Sequence, residues 1–427
     1  MALQAQSLLG LIALPLIAWL LSEQRNAIAP QRLARLLLAG IGLQVAIAGI
    51  LLNVAAVRGV FDWTAGLVGA LQAATATGMQ VVFGYLAGAP APFQTVQPAN
   101  TFILAFHALP LILVISALSK LLYHWGILQK IVHGIGWGLR RTLGVSGPVG
   151  TSAAANIFVG MMEAPLLVRP YLATMSRAGL FATMTVGMAG VAGTVLAIYA
   201  TIMQATLPSA AGHLIVASVI SVPAALLLSE LMVPEQTGST AMPQETSSTI
   251  EIDDPPRSSM DAIAQGTAEG VILLANVAAM LIVAVALVAL ANKVLGIATA
   301  PLGLTLTFEQ MLGWVFAPLA WLIGIPWREA AQAGALLGVK TVLNEFVAYL
   351  QLAALGPEVL TERSRLMLTY ALCGFANFGS LGIMIGGIAA MVPSRRAEIA
   401  SLGTKTIVSG TLSTLMTAAV VGLITPG

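Results

Sequence analysis

Residues Ser152–Pro170 read SAAANIFVGMMEAPLLVRP. An acid, Glu163, and an amide, Asn156, stand here among apolar residues, with Gly160 and Pro165 between the blocks. A helix that crosses a bilayer needs about 20 apolar residues, and no piece of this stretch is that long. An ionised side chain at membrane depth costs about 2.5–3.5 kcal/mol on insertion scales. A short apolar segment carrying such a group suits a re-entrant hairpin, which is tolerated only where protein or a wet cavity covers it. The pattern recurs at Lys340–Tyr349, KTVLNEFVAY, with Asn344 and Glu345. Each stretch precedes a span interrupted by small residues, Gly187–Thr194 (GMAGVAGT) and Gly374–Ser380 (GFANFGS). Such breaks free backbone amides and carbonyls where a solute or ion can meet them. Both halves of the chain therefore show the same order, a hairpin with a Glu and then a broken helix. This order predicts an internal repeat of inverted topology. A single buried Glu can also be structural, paired with a base such as Arg169 or Lys340. Two acids in the same context weigh against that reading.

The rest of the chain fits a membrane setting. Of 427 residues, 58% are hydrophobic and 8% charged, whereas a soluble domain carries about 25% charged residues. Lipid in place of water explains the deficit. The net charge of +2 gives no footing for a nucleic-acid partner. The lone cysteine, Cys373, excludes an intramolecular disulfide framework and a cysteine-based zinc site. The four histidines lack metal-ligand spacing. There is no His-Glu-x-x-His motif and no Gly-Asp pair in a span, so an intramembrane enzyme is not expected.

Apolar runs predict membrane spans at Leu8–Leu21, Leu36–Val57, Phe102–Leu122, Leu180–Leu207, Leu214–Met232, Val271–Ala291, Met311–Ile325, Leu366–Ile388 (broken) and Leu402–Ile424. The first lacks a basic stretch and a cleavage pattern, so it reads as a retained helix, although a run that short also fits a signal-like apolar region. Arg25, Arg32 and Arg35 put the first loop in the cytoplasm. Trp63–Leu86 and Gly126–Leu143 suit helices lying along the interface. Gly88–Asn100, with three prolines, is a loop. No stretch shows the strand alternation of a membrane barrel. The fold class is all-α, with about eight transmembrane helices, two re-entrant hairpins and interfacial helices. The expected segments are N-terminal scaffold helices (1–145), the first hairpin with its broken helix and following span (146–233), a polar acidic linker (234–258), second-half scaffold helices (259–328), and the second hairpin, broken helix and last helix (329–427). Arg395 and Arg396 are expected to cap a solvated turn rather than to meet lipid headgroups.

Over almost its whole length the chain resembles the concentrative nucleoside transporter family. The blocks that carry the resemblance are Ala155-Asn156-Ile157-Phe158, Glu163-Ala164-Pro165, Asn344-Glu345-Phe346 and Cys373-Gly374-Phe375-Ala376-Asn377. Weaker similarity lies at Ala18–Glu23 and Phe106–Pro110. The resemblance implies a homotrimer in the cell inner membrane, each protomer with a scaffold and a transport region. It implies cation-coupled nucleoside import, with Na+ or H+ as the coupling ion and no other cofactor. Glu163, Glu345, Asn377 and Ser380 match ribose-binding positions, and Phe375 matches the aromatic beside sugar and base. Ribose hydroxyls donate, and carboxylates and amides accept. Val195 matches an apolar contact to the base.

Two departures from the family pattern stand out. The first hairpin usually carries a Gln and a hydroxyl residue before the Glu, and here they are Met161 and Met162. Thioethers pack against a ring but offer almost no hydrogen-bond readout. Altered base discrimination is therefore expected, or another hydroxylated solute in place of a nucleoside. The sodium site of relatives matches Asn156 by its amide and Val159 and Val191 by their carbonyls, but its serine is Gly190 here. One hydroxyl ligand is missing, which leaves proton coupling through Glu163 or Glu345 as the other option.

Overall fold

A computed structural model describes residues 2–28, 30–53, 55–94, 103–235, 256–302 and 306–426. These residues are almost wholly helical, and no strand occurs among them. The first half contains α1 (Ala2–Leu20), α2 (Pro30–Asn53), α3 (Ala55–Phe83), α4 (Leu104–His107), α5 (Leu111–His124), α6 (Ile127–Leu143), α7 (Gly147–Ala155), α8 (Glu163–Leu166), α9 (Arg169–Leu172), α10 (Arg177–Ala189), α11 (Gly193–Met203) and α12 (Ala210–Met232). The second half contains α13 (Ser259–Thr299), α14 (Phe308–Leu322), α15 (Trp327–Val342), α16 (Glu345–Ala354), α17 (Glu362–Leu372), α18 (Phe378–Met391) and α19 (Arg396–Ile424). The linker expected at 234–258 lies outside the described residues except at its two ends, as does 95–100 of the expected loop.

Among the described residues seven helices are long and apolar enough to cross a membrane, or eight if one bent pair counts as a span. That agrees with about eight transmembrane helices, although nine apolar runs read as spans. The broken run at Leu366–Ile388 is α17 and α18, of 11 and 14 residues, too short to cross singly. Three other elements differ in position or extent. The span expected at Met311–Ile325 is α14, whose 15 residues reach only about 22 Å. It turns by 118° into α15. Gly324 makes the corner at φ +110°, a conformation that favours glycine, and Pro326 follows it. The helix expected from Trp63 is the later part of α3, which already begins at Ala55. The span expected at Val271–Ala291 is the middle of α13, whose 41 residues extend about 61 Å, roughly twice the hydrocarbon thickness. Ser258 starts α13 by accepting from the Asp261 amide at 3.2 Å.

Burial separates an inner from an outer set. The spans formed by α10 with α11, by α12 and by α19 have 78–83% of their apolar windows buried, against 6% for α13 and 17% for α2. The inner helices α10, α12, α17 and α19 pack on one another, while α13 packs along α5. Apolar side chains such as Ile272, Ile282 and Ile297 remain exposed on α13, as a lipid-facing or partner-facing helix requires. A charged cluster ties the first loop to the inner set. Arg177 donates to Glu23 from two guanidinium nitrogens at 3.1 and 2.8 Å, and the Lys405 ammonium reaches the same carboxylate. Hydrogen bonding by Arg177 is the main reason the Glu23 carboxyl is held down at about 2, with Lys405 adding to it.

Candidate functional site

Each of the two segments predicted as hairpins places a non-helical tip between short helices. The first runs α7, a tip over residues 156–162, then α8 and α9; the second runs α15, residues 343–344, then α16. Pro148 opens α7 in its first turn, where a missing N–H costs nothing. Asn344 caps α16 by accepting from the Val347 amide at 2.9 Å. The broken helices follow. The α10 segment ends at Gly190, in extended conformation, and α11 restarts at Gly193. Between α17 and α18 the chain is non-helical over 373–377, and Asn377 starts α18 by accepting from the Ser380 amide at 2.7 Å.

The two breaks meet. The Phe375 amide donates to the Gly190 carbonyl at 3.2 Å, and the Gly193 amide donates to the Phe158 carbonyl of the first tip at 3.2 Å. Unpaired backbone groups at this depth are costly, and these two bonds satisfy four of them across three segments.

Around this junction lies a cavity of about 930 Å3. Its lining includes Met161, Met162, Glu163, Val195, Glu345, Phe375, Asn377 and Ser380, so the structure brings all eight residues expected at the solute site together. Glu345 is buried, and both carboxylate oxygens are held: Tyr199 Oη donates to Oε1 at 2.6 Å and Asn377 Nδ2 to Oε2 at 2.9 Å. Glu163 is exposed to the cavity. Its carboxylate turns toward the backbone amides of Gly160, Met162 and Glu163 itself. A Cβ at Gly160 would sit 2.3 Å from Glu163 Oε2, so only glycine admits that pose.

The two methionines are wedged into the broken helices. A Cβ at Gly187 of α10 would lie 3.1 Å from Met161 Cβ, and one at Gly387 of α18 would lie 1.5 Å from Met162 Cε. Met162 therefore fills a notch that exists because residue 387 has no side chain. On the expected cation side, Asn156 is buried and its Nδ2 donates to the Val186 carbonyl at 3.0 Å. A Cβ at Gly190 would be 2.5 Å from that nitrogen. The Asn156 amide thus occupies the space a hydroxyl side chain at Gly190 would need. Val159 lines the cavity, whereas Asn156, Gly190 and Val191 are buried behind it.

Several residues at the site went unremarked in the sequence. Tyr199 anchors Glu345 and stacks on Tyr349 with ring centroids 4.5 Å apart. It sits in a plain apolar run, and no sequence signal singles it out. Glu269 and Asn276 of α13 and Lys120 of α5 also line the cavity, and Lys120 bonds Glu269 at 2.6 Å. Glu269 and Asn276 share one face of their helix by spacing. Lys340, considered above as a partner for a buried Glu, instead donates to the Ala371 carbonyl at 2.8 Å and to Thr414 Oγ1 at 2.7 Å. Arg395 also departs from expectation. It donates to the Leu172 and Met175 carbonyls and to Glu398, so it pins the end of the first hairpin segment rather than capping a solvated turn.

Comparison with known proteins agrees with this architecture. Residues 213–422 match the C-terminal model of Na+-dependent nucleoside transporters, residues 9–86 match the N-terminal one, and residues 105–206 match a nucleoside-recognition gate model. The nucleoside permease NupC of Helicobacter pylori is 37% identical over 98% of this chain and 97% of its own length. Human solute carrier family 28 member 3 is 34% identical over 90% of this chain and 55% of its own. The structure of CNTnw in an inward-facing substrate-bound state shares 38% identity and a TM-score of 0.87, covering 99% of this chain and 97% of that one. A CNTnw variant in an outward-facing state gives 37% and 0.88, covering 99% and 98%. No part of this kinship is enzymatic, and the apolar helices make the chain a multi-pass protein of the plasma membrane. By sequence, by family model and by fold, the chain belongs to the concentrative, Na+-dependent nucleoside transporter family.

Proposed function

We propose that the chain is a symporter that imports nucleosides by alternating access, driven by a cation gradient. The observation that carries this reading is the cavity onto which Glu163, Glu345, Asn377 and Ser380 converge from both halves of the chain. Carboxylates and an amide suit ribose hydroxyls, which are donors, and Phe375 and Val195 offer apolar surface to sugar and base. Residues 146–233 and 329–427 would form the transport region, moving against scaffold helices at 1–145 and 259–328, with 234–258 as the linker. The two hairpin segments would be re-entrant and the repeat inverted in the membrane. A homotrimer would cover the exposed apolar face of α13.

Sodium is the coupling ion favoured by the family description. Asn156, Val159, Gly190 and Val191 would hold it, with water supplying the hydroxyl ligand absent at Gly190. Uptake of radiolabelled uridine and adenosine into proteoliposomes, with sodium and proton gradients imposed separately, tests the reading. Uptake driven by sodium alone supports it in full; uptake driven by protons alone moves the coupling to a carboxyl group. A second reading, a carrier of another hydroxylated solute, rests on the thioethers of Met161 and Met162 beside the base position. No uptake of either nucleoside by folded protein, with gradient-driven uptake of another radiolabelled polyol, would establish it.

A further inference from the structure

The two repeats treat one position differently. In each, the first helix of the hairpin segment ends against the last turn of the helix half that precedes the break. In the first repeat the residue at this junction is Asn156, the C-cap of α7, and its amide reaches the Val186 carbonyl in the last turn of α10. In the second repeat it is Lys340, in the last turn of α15, and its ammonium reaches the Ala371 carbonyl in the last turn of α17. Helix C-termini carry partial negative charge and favour cations, so each junction is a cation-favouring corner. One corner holds a neutral amide; the other holds a lysine amine that is 1% exposed.

The neighbouring acids complete the contrast. Lys340 makes its hydrogen bonds to the Ala371 carbonyl and the Thr414 hydroxyl, and the opposite charge of Glu345 stands just beyond it, at the start of α16. Glu163 instead shares its cavity with another acid, Glu269. Glu345 thus has a lysine built into its own hairpin segment, whereas the lysine that the structure pairs beside Glu163, Lys120, is taken by Glu269.

We infer that Lys340 is a tethered counter-cation, filling in the second repeat the role that the mobile coupling ion fills in the first. It is a positioning residue: it holds Glu345 ionised for the solute and touches no solute itself. The inference rests on the proposed symport only for what the first corner binds. One fixed and one mobile cation for two carboxylates follows directly, and removing the fixed one creates a demand for a second mobile one.

A double-mutant cycle tests this without transport. Wild type, Lys340→Met, Glu345→Gln and the double variant are purified and melted in detergent across a series of NaCl concentrations, with choline chloride holding ionic strength constant. Lys340→Met is expected to lose several degrees of thermal stability and to regain them with NaCl more steeply than wild type. Adding Glu345→Gln is expected to recover at least half of the loss and to abolish the extra salt response, because an uncompensated buried carboxylate is gone. If Lys340→Met fails to fold, recovery of folded protein in the double variant supports the inference equally. Losses that simply add, a NaCl response equal to wild type in folded Lys340→Met, or a double variant as unfolded as the single one would overturn the inference and leave Lys340 a packing anchor. Uridine uptake by wild type judges the symport reading separately.

Discussion

Replacing Tyr199 by Phe removes one oxygen and leaves the ring. The ring is fully buried, stacked on Tyr349 and set edge-on to Phe346 at 5.9 Å, so its packing survives the change. What goes is the 2.6 Å bond to Glu345 Oε1. A hydrogen bond to a charged acceptor is worth about 1.5–3 kcal/mol, and Glu345 keeps its Asn377 donor on the other oxygen. With the carboxylate no longer fixed, the lost energy falls on binding of the ribose, and each 1.4 kcal/mol is about tenfold. The KM for uridine in proteoliposomes should therefore rise by about 10- to 150-fold, with Vmax less affected. A thermal melt on the same preparation monitors folding. A KM within twofold of wild type, together with a lowered melting temperature, would refute the reasoning, because the bond would then serve the fold and not the solute.

Other perturbations have equally definite outcomes. Glu163→Gln and Glu345→Gln should each cut uridine uptake by about tenfold or more, the difference between charge-assisted and neutral hydrogen bonds, read as initial rates at equal protein. Met161→Gln should widen the ratio of adenosine to uridine affinities in a competition assay, because an amide reads base edges and a thioether does not. Gly190→Ala should cost about 1–3 kcal/mol by overpacking as its Cβ meets Asn156 Nδ2, seen as a lower melting temperature. Glu23, held near 2 rather than 4.5, contributes stability that is complete above 4.5 and is lost as pH falls toward about 2. Melts between pH 5 and 3 should show a shallower acid-side decline in Glu23→Gln than in wild type.

Periodicity and cost made the membrane class and the doubled hairpin-and-break order legible, because an acid in a short apolar run has few explanations. That Glu163, Glu345 and Asn377 line one cavity was legible through resemblance in the blocks that contain them. Tyr199 was not, since a tyrosine in an apolar helix reads as core until its hydroxyl is seen to meet Glu345. Lys340 was noticed as a charge, but its partners, Ala371 and Thr414, lie far along the chain and no local pattern names them. The length of α13 was underread because hydropathy marks only its apolar middle, whereas its cap at Ser258 and its polar first turns extend the helix well beyond that window. Arg395 shows the opposite case: close to a proline and beside a second arginine it looks like a solvated turn, whereas its partners include two carbonyls of the first half as well as Glu398.

The bond from the Phe375 amide to the Gly190 carbonyl also bears on biosynthesis. A ribosome delivers the chain from its N-terminus, so the first break enters the membrane long before its partner has been translated. Until residue 375 emerges, the Gly190 carbonyl must rely on water or on the translocation machinery. The solute cavity, which needs both breaks, cannot exist on any shorter nascent chain. A premature stop codon between the two breaks therefore removes the whole junction and the cavity built around it, rather than leaving a weakened version of either.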